Sequence, residues 1–356
     1  MTLGRTLETS TSLPAEDIPG LLSAVARGPG HASHLSALAA HALFAEWLSG
    51  HLSPLAQGAL WTAYRLKGES VDELLGFVRA TEESLTPLPL PGPYKPVVFP
   101  SYNGARRQAN LLPLLALLLA REGVPVLIHG AYGSSADDGG LELPQHDPKA
   151  RVTTGAILTY LGYPPAPHRL GICTQFQKSH LSYAPIDILH PQLASILSLR
   201  RALGVRSSVH TIIKLFNPFA GEAVLCAAVT HPPYLAKMRA FFVAARATAL
   251  VFRGTEGEPV VHAKRRPALF SFHDGQEQEW FPEDKTPLTD IPALPDDRSV
   301  ISTCRFINAV LMGHEKIPPP LIDQLACLLT MSGASRDPIE AREKLLQSHK
   351  SIRGGR

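Results

Sequence analysis

The stretch Phe99-Pro-Ser-Tyr-Asn-Gly-Ala-Arg-Arg-Gln-Ala-Asn110, followed by the apolar run Leu111 to Ala120 and by Val124-Pro-Val-Leu-Ile-His-Gly130, decides the fold. An apolar start, a polar loop, a longer apolar run and a second short apolar run have the outline of strand, loop, helix and strand, a βαβ unit. Ligands sit outside the carboxyl ends of such strands, so the loop at 100–109 is the expected place for chemistry. A phosphate cradle needs glycines, so that backbone N–H groups can approach the anion. This loop has one glycine, Gly104, beside the bulky Tyr102, and carries the adjacent cations Arg106 and Arg107. It suits phosphate by charge and not by close backbone approach.

On the amino-terminal side, Leu35, Leu38, Ala39, Ala42, Leu43 and Leu48 recur at helical spacing. Ser53-Pro54 gives an N-cap with proline at the first helical position, and Ser70 with Glu73 forms a capping box. Residues 1–85 therefore read as a small helical domain. Its four histidines, His31, His34, His41 and His51, have no cysteine or carboxylate at ligand spacing and are read as surface and capping residues. Thr86 to Pro96 holds five prolines, which exclude a helix and a central strand and make 86–100 a stiff linker entering the sheet.

On the carboxyl-terminal side, Asp137-Asp138 lies in a polar loop over 131–150 and reads as a solvated turn in preference to a Mg²⁺ site. A helix is expected through Ile157, Leu158 and Leu161, and Gly171-Ile-Cys-Thr is a strand candidate. His190 to Leu203 reads as an amphipathic helix between Pro191 and Gly204, with Arg200, Arg201 and Arg206 clustered at its end. Ala223–Val229 and Ala249–Phe252 read as buried strands around a helix at 233–245, a second βα repeat that supports a doubly wound sheet. Val260 to Arg266 is expected to end a strand in the basic triplet Lys264, Arg265, Arg266. A helix pair at 321–331 and 338–347 precedes a basic tail, 348–356.

At 356 residues with 45% hydrophobic and 18% charged side chains, the chain has material for two domains and is not disordered. The net charge of +3 says less about partners than the placement of the cations does. Four scattered cysteines without a CxxC pair read as reduced core residues. The first twelve residues lack the apolar region of a signal peptide and no run reaches membrane-spanning length, so the expectation is a cytoplasmic protein without a membrane partner.

Laid out in this way, the chain resembles the anthranilate phosphoribosyltransferase family (TrpD-like, glycosyltransferase family 3), and within it the YbiB-type branch of nucleic-acid-binding proteins. The resemblance rests on Ser53-Pro-Leu-Ala-Gln57 through Lys67-Gly-Glu-Ser70 and Asp72 to Gly76, on Arg200-Arg-Ala-Leu-Gly-Val-Arg206 with Asn217-Pro218, and on Asn110 and His129-Gly130. It implies an α/β fold: a small helical domain (1–85 with about 178–204) plus a larger domain (97–177 and 205–347) with a mostly parallel sheet flanked by helices, like nucleoside phosphorylases and phosphoribosyltransferases. It also implies a homodimer through the helical domain.

The family's glycine-rich pyrophosphate loop falls on Pro100 to Ala105, where every glycine position holds another residue and the acidic one has become Gly104. Leu112-Pro113 stands where the family has Ser-Thr, and Ile128-His-Gly-Ala-Tyr132 where it has Lys-His-Gly-Asn-Arg. Of the metal-binding Asp-Glu pair only Glu258 remains. Ser101, Tyr102, Asn103, Gly104, Asn110, His129 and Gly130 thus form a degenerate substrate pocket, with no catalytic residue, metal or cofactor expected. Arg200 matches the arginine that meets the anthranilate carboxylate, and one cation cannot stabilise phosphoribosyl transfer.

Two readings follow. The first is a non-enzymatic, sequence-independent binder of DNA, and possible RNA, that holds phosphates with Arg106, Arg107, Lys178, Arg200, Arg201, Arg206, Lys214, Lys264, Arg265, Arg266 and Lys95 and stacks bases on Tyr102, Phe176 and Tyr183. The second is a transferase for another phosphorylated or nucleoside-like substrate, its pocket lined by His129, Arg200 and Asn110.

Overall fold

The computed structural model describes residues 17–351 apart from 29, 131–150, 287, 289–290 and 296. The Asp137-Asp138 turn, Ala131, Tyr132, the first twelve residues and tail residues 352–356 lie outside the described residues.

Seven strands form one sheet: β1 Val97–Ser101, β2 Val126–Gly130, β3 Leu181–Pro185, β4 Val224–Val229, β5 Ala249–Arg253, β6 Leu269–His273 and β7 Gln276–Phe281. Their order is β3-β2-β1-β4-β5-β6-β7, with the first five mutually parallel and the last two antiparallel. The chain reverses at β1, the topological switch point at which the opening stretch sits. α5 (Leu112–Arg121) crosses from β1 to β2, with Pro113 in its first turn.

Both faces of the parallel strands are apolar, and alternate residues face two different cores, as covered parallel sheets require. Val224, Cys226 and Ala228 face one core with Val97, Phe99, Val126 and Ile128, beneath α5, α6 (Thr154–Tyr160), α12 (Val300–Leu311), α13 (Pro319–Ser332) and α14 (Pro338–Ser351). Leu225, Ala227, Val229, Val98 and Leu127 face the other, against α11 (Pro232–Ala245), α7 (Arg169–Ser179) and the helical domain.

That domain contains α1 (Ile18–Ala26), α2 (Ala37–Leu48), α3 (Pro54–Lys67) and α4 (Val71–Glu83), joined by α8 (Ile186–Leu189) and α9 (Pro191–Leu203). Ser53 caps α3, and both halves of the Ser70–Glu73 capping box are formed. Buried Glu73 also accepts the Leu35 N–H at 2.9 Å, the Tyr64 hydroxyl at 2.9 Å and Lys67 Nζ at 2.7 Å, tying the starts of α2 and α4 to the end of α3. Gly76 lets α4 approach α2, since a Cβ there would stand 2.3 Å from Ala37 O.

Three expectations are corrected. Gly171-Ile-Cys-Thr lies inside α7, where Ile172 and Phe176 fall one helical turn apart on the buried side, and the strand is β3, after His180 ends the helix at φ 55°. Residues 178–185 therefore belong to α7 and the sheet, and the chain returns to the helical domain only at Ile186. Val260–Arg266 is not a strand: the Val261 N–H is accepted by Gln324 Oε1 at 2.9 Å and Lys264 lies in a turn. The proline-rich linker is fastened to the body, with Leu88 N–H donating to Pro218 O at 2.8 Å and Lys95 N–H to Ser332 O at 3.0 Å.

Candidate anion-binding loop and cleft

β1 delivers Ser101 to the carboxyl end of the sheet, and the chain turns into the loop at Tyr102 to Asn110. Backbone N–H groups of this loop point toward residues 256–258, which follow β5. Glu258, 2% exposed, accepts the Asn103 N–H at 2.8 Å and the Gly104 N–H at 2.7 Å through one oxygen. Its other oxygen accepts the Ser101 hydroxyl at 2.5 Å. Glu256 accepts the Arg106 N–H at 2.8 Å and the Arg107 N–H at 2.6 Å. Four loop donors that suit an anion are thus met by two carboxylates of the same chain.

The remaining pocket candidates brace this arrangement. Asn110 Nδ2 donates to Thr154 Oγ1 at 3.0 Å, and that hydroxyl lies 2.8 Å from Ser101 Oγ. Gly104 has φ +61°, and a Cβ there would stand 2.8 Å from Val152 O. At Gly130 a Cβ would fall 2.0 Å from Ser101 O, so this glycine serves strand packing. The Tyr102 hydroxyl donates to His129 Nδ1 at 2.7 Å. Burial pushes the His129 imidazole down to about 3 and the Tyr102 phenol up, so both are neutral at pH 7.

Beside the loop lies a cleft of about 310 Å³ between the end of α3 and the carboxyl ends of β4 and β5, lined among others by Arg65, Glu69, Asn103, Arg206, His210 and Lys214. Arg206 Nη2 donates to Asn103 Oδ1 at 2.8 Å, and Lys214 Nζ to Gly257 O at 3.3 Å. Burial lowers Lys214 to about 8, with Glu258 opposing and Arg206 adding to the shift. Burial, then Arg206 and Arg200, then Lys214, push His210 down to about 3, so these three cations share one neighbourhood.

The predicted cations do not all lie here. Arg106, Arg107, Arg200, Arg206 and Lys214 are at the carboxyl end, and exposed Arg201 is on the last turn of α9. Lys264 and Arg265 are exposed on the turn after β5. Lys178 ends α7 just before β3, and Lys95 precedes β1, so both stand at the amino ends of the strands; Lys95 also pairs with Glu222 at 2.6 Å. Five strand residues at about 3.3 Å each put these two about 16 Å from the loop. Arg266 pairs with Asp323 at 2.9 Å and lies over the Phe281 ring, a structural role. Phe176 and Tyr183, 3% and 2% exposed, are core residues and cannot stack on bases, and the Tyr102 hydroxyl is engaged by His129.

Sequence reasoning missed Glu256, Arg151 and Arg298. Arg151 pairs with Glu256 at 3.5 Å and donates to Gly104 O at 3.1 Å, and Arg298 donates to Arg106 O. The one local signal was the acidic Glu256-Gly-Glu258 pattern.

Residues 19–85 match the helical bundle domain of a glycosyl transferase family. The chain is 34% identical over 319 residues to the uncharacterized protein YbiB of Escherichia coli, spanning 89% of this chain and 95% of that one. It is 27% identical over 241 residues to the anthranilate phosphoribosyltransferase of Clavibacter michiganensis, covering 67% and 63% of the two chains. The fold matches anthranilate phosphoribosyltransferase (TrpD) from Thermus thermophilus with TM-score 0.67 at 20% identity, over 94% and 98% of the chains. The protein belongs to the TrpD-like glycosyltransferase family 3.

The family resemblance implies Mg²⁺ beside the pyrophosphate. The residues present do not fit it: the oxygens of Glu256 and Glu258 are turned to N–H and O–H donors, and among the described residues no three His, Cys, Asp or Glu side chains converge.

Proposed function

We propose that this protein binds nucleic acid through its phosphates, without base-sequence preference, and does not transfer phosphoribosyl groups. The observation that carries the reading is the loop itself. Its Asn103, Gly104, Arg106 and Arg107 N–H groups are accepted by Glu258 and Glu256, leaving no cradle for a free pyrophosphate. Arg106, Arg107, Arg200, Arg206 and Lys214 nevertheless gather at the same end of the sheet. Cations without a cradle suit a polyanion held at many points, with affinity that falls with salt.

A homodimer is part of the proposal, because a second copy doubles the cationic track. Leu55 and Leu66 of α3, 84% and 82% exposed, supply apolar surface on the helical domain for it. The transferase alternative loses support at its own residues: Asn110 and His129 are 2% and 1% exposed and do not line the cleft.

The test is fluorescence anisotropy of a labelled oligonucleotide across a salt series, with light scattering on the same samples. Binding should weaken steeply with salt, and Arg106→Glu with Arg107→Glu should cost at least about tenfold in affinity. Lys95→Glu with Lys178→Glu, at the far end of the strands, should change it less than about twofold. Equal losses from both pairs, or binding indifferent to salt, would refute the reading.

A further inference from the structure

The two carboxylates that fill the loop are held differently. Glu258 is locked, 2% exposed, with three donors and the buried Ser101–Thr154–Asn110 chain behind it. Glu256 is enclosed nearly as far, its side chain 9% exposed, but it lines the cleft and holds φ +54°, a conformation disfavoured for a residue with a side chain. Gly257 follows at φ +84°. Strain of this kind persists where the surroundings impose it, and here the imposed contacts are the Arg106 and Arg107 N–H groups and the Arg151 guanidinium. Two adjacent N–H donors and a guanidinium form a phosphate-binding set.

We propose that Glu256 is an exchangeable internal stand-in for a phosphate group, and that a phosphate of a bound strand displaces it to reach the Arg106 and Arg107 N–H groups and Arg151. Naming a strand as the source rests on the nucleic-acid reading; the phosphate site itself does not. Free phosphate must outcompete a carboxylate tethered in place, at high effective concentration. A strand already held by Arg200, Arg206 and Lys214 presents its next phosphate at comparable effective concentration and makes the exchange. Glu256 thereby excludes small phosphoryl ligands and admits a polyanion, while Glu258 keeps the loop folded during the exchange.

The experiment follows the backbone amide resonances of Arg106 and Arg107 in the full chain, with inorganic pyrophosphate and a single-stranded oligonucleotide as separate probes. In the unmodified protein, pyrophosphate should leave both resonances in place and the oligonucleotide should shift them. In Glu256→Ala, pyrophosphate should shift them saturably, and the oligonucleotide should bind about tenfold more tightly. Glu256→Gln, close in shape, should move both readouts in the same direction by less, with the rest of the amide spectrum unchanged as evidence of an intact fold. The proposal is overturned if neither variant gains pyrophosphate binding, or if the oligonucleotide binds the unmodified protein without moving the two resonances. Pyrophosphate binding by the variants with no oligonucleotide binding by any form would uphold the phosphate site and remove the nucleic-acid reading alone.

Discussion

Removing the Glu258 carboxylate tests whether it is what holds the loop. Glu258→Ala deletes the acceptor for the Asn103 and Gly104 N–H groups and the Ser101 hydroxyl, at 2.8, 2.7 and 2.5 Å. Hydrogen bonds to a charged acceptor contribute about 1.5–3 kcal/mol each, and the donors left behind are buried. Against this stands the cost of keeping a carboxylate at 2% exposure, which the substitution relieves. For buried charged networks the broken contacts outweigh that relief when one partner is deleted, and the net loss is about 3–5 kcal/mol. Glu258→Gln keeps an oxygen for the two N–H groups, and the Ser101 hydroxyl can turn to accept from the new amide, so its loss is nearer 1–2 kcal/mol. In urea unfolding followed by tryptophan fluorescence, with a slope near 3 kcal/mol/M, the alanine variant should unfold about 1.3 M earlier and the glutamine variant about 0.5 M earlier. An alanine variant within about 0.2 M of the unmodified protein would refute the claim that this carboxylate anchors the loop.

Two further outcomes concern the scaffold. His129 is held near 3 in the fold against 6.5 for a free imidazole, so the unfolded chain binds more protons between those values. Its contribution to stability is complete above pH 6.5 and is lost as pH falls, by about 2 kcal/mol at pH 5. His129→Gln, which keeps an acceptor for Tyr102, should flatten the difference between urea curves at pH 7.5 and 5 by that amount; an unchanged difference would show that His129 is not responsible. Gly76→Ala should destabilise by about 1–3 kcal/mol, since a methyl 2.3 Å from Ala37 O forces α2 and α4 apart; a thermal midpoint equal to that of the unmodified protein would mean that the helices have slack.

Much of this architecture is legible in the sequence where the signal is local. The β1–α5–β2 unit shows as apolar runs around one polar loop, and α9 lies between a proline and a glycine. Where a short apolar run fits either period, the reading failed: Gly171-Ile-Cys-Thr is helical because Ile172 and Phe176 share a face. The β6–β7 hairpin carries a local cue in Asp274-Gly275, both at positive φ, but the strand after it opens Gln276-Glu-Gln-Glu279 without apolar alternation, so only the turn itself is legible. The loop candidates were found because they are contiguous. What fills the loop was not, because Glu258 lies 154 residues from Gly104 and nothing local announces the pairing. The cations failed for a related reason: Lys178 and Arg200 both lie in the last turn of a helix, and only the fold sends one to each end of the sheet.

The self-filled loop also constrains descent. A chain that restored a glycine-rich loop while keeping Glu258 would set an incoming pyrophosphate against a buried negative charge. A chain that discarded Glu258 first would carry three unmet donors until the glycines arrived. At Glu258 each single change toward a glycine-rich loop is worse than the present arrangement, so replacing that carboxylate needs coordinated changes in segments about 150 residues apart. The Glu258 contacts act as a ratchet, and they leave Glu256 and the surrounding cations as the positions that single substitutions can retune.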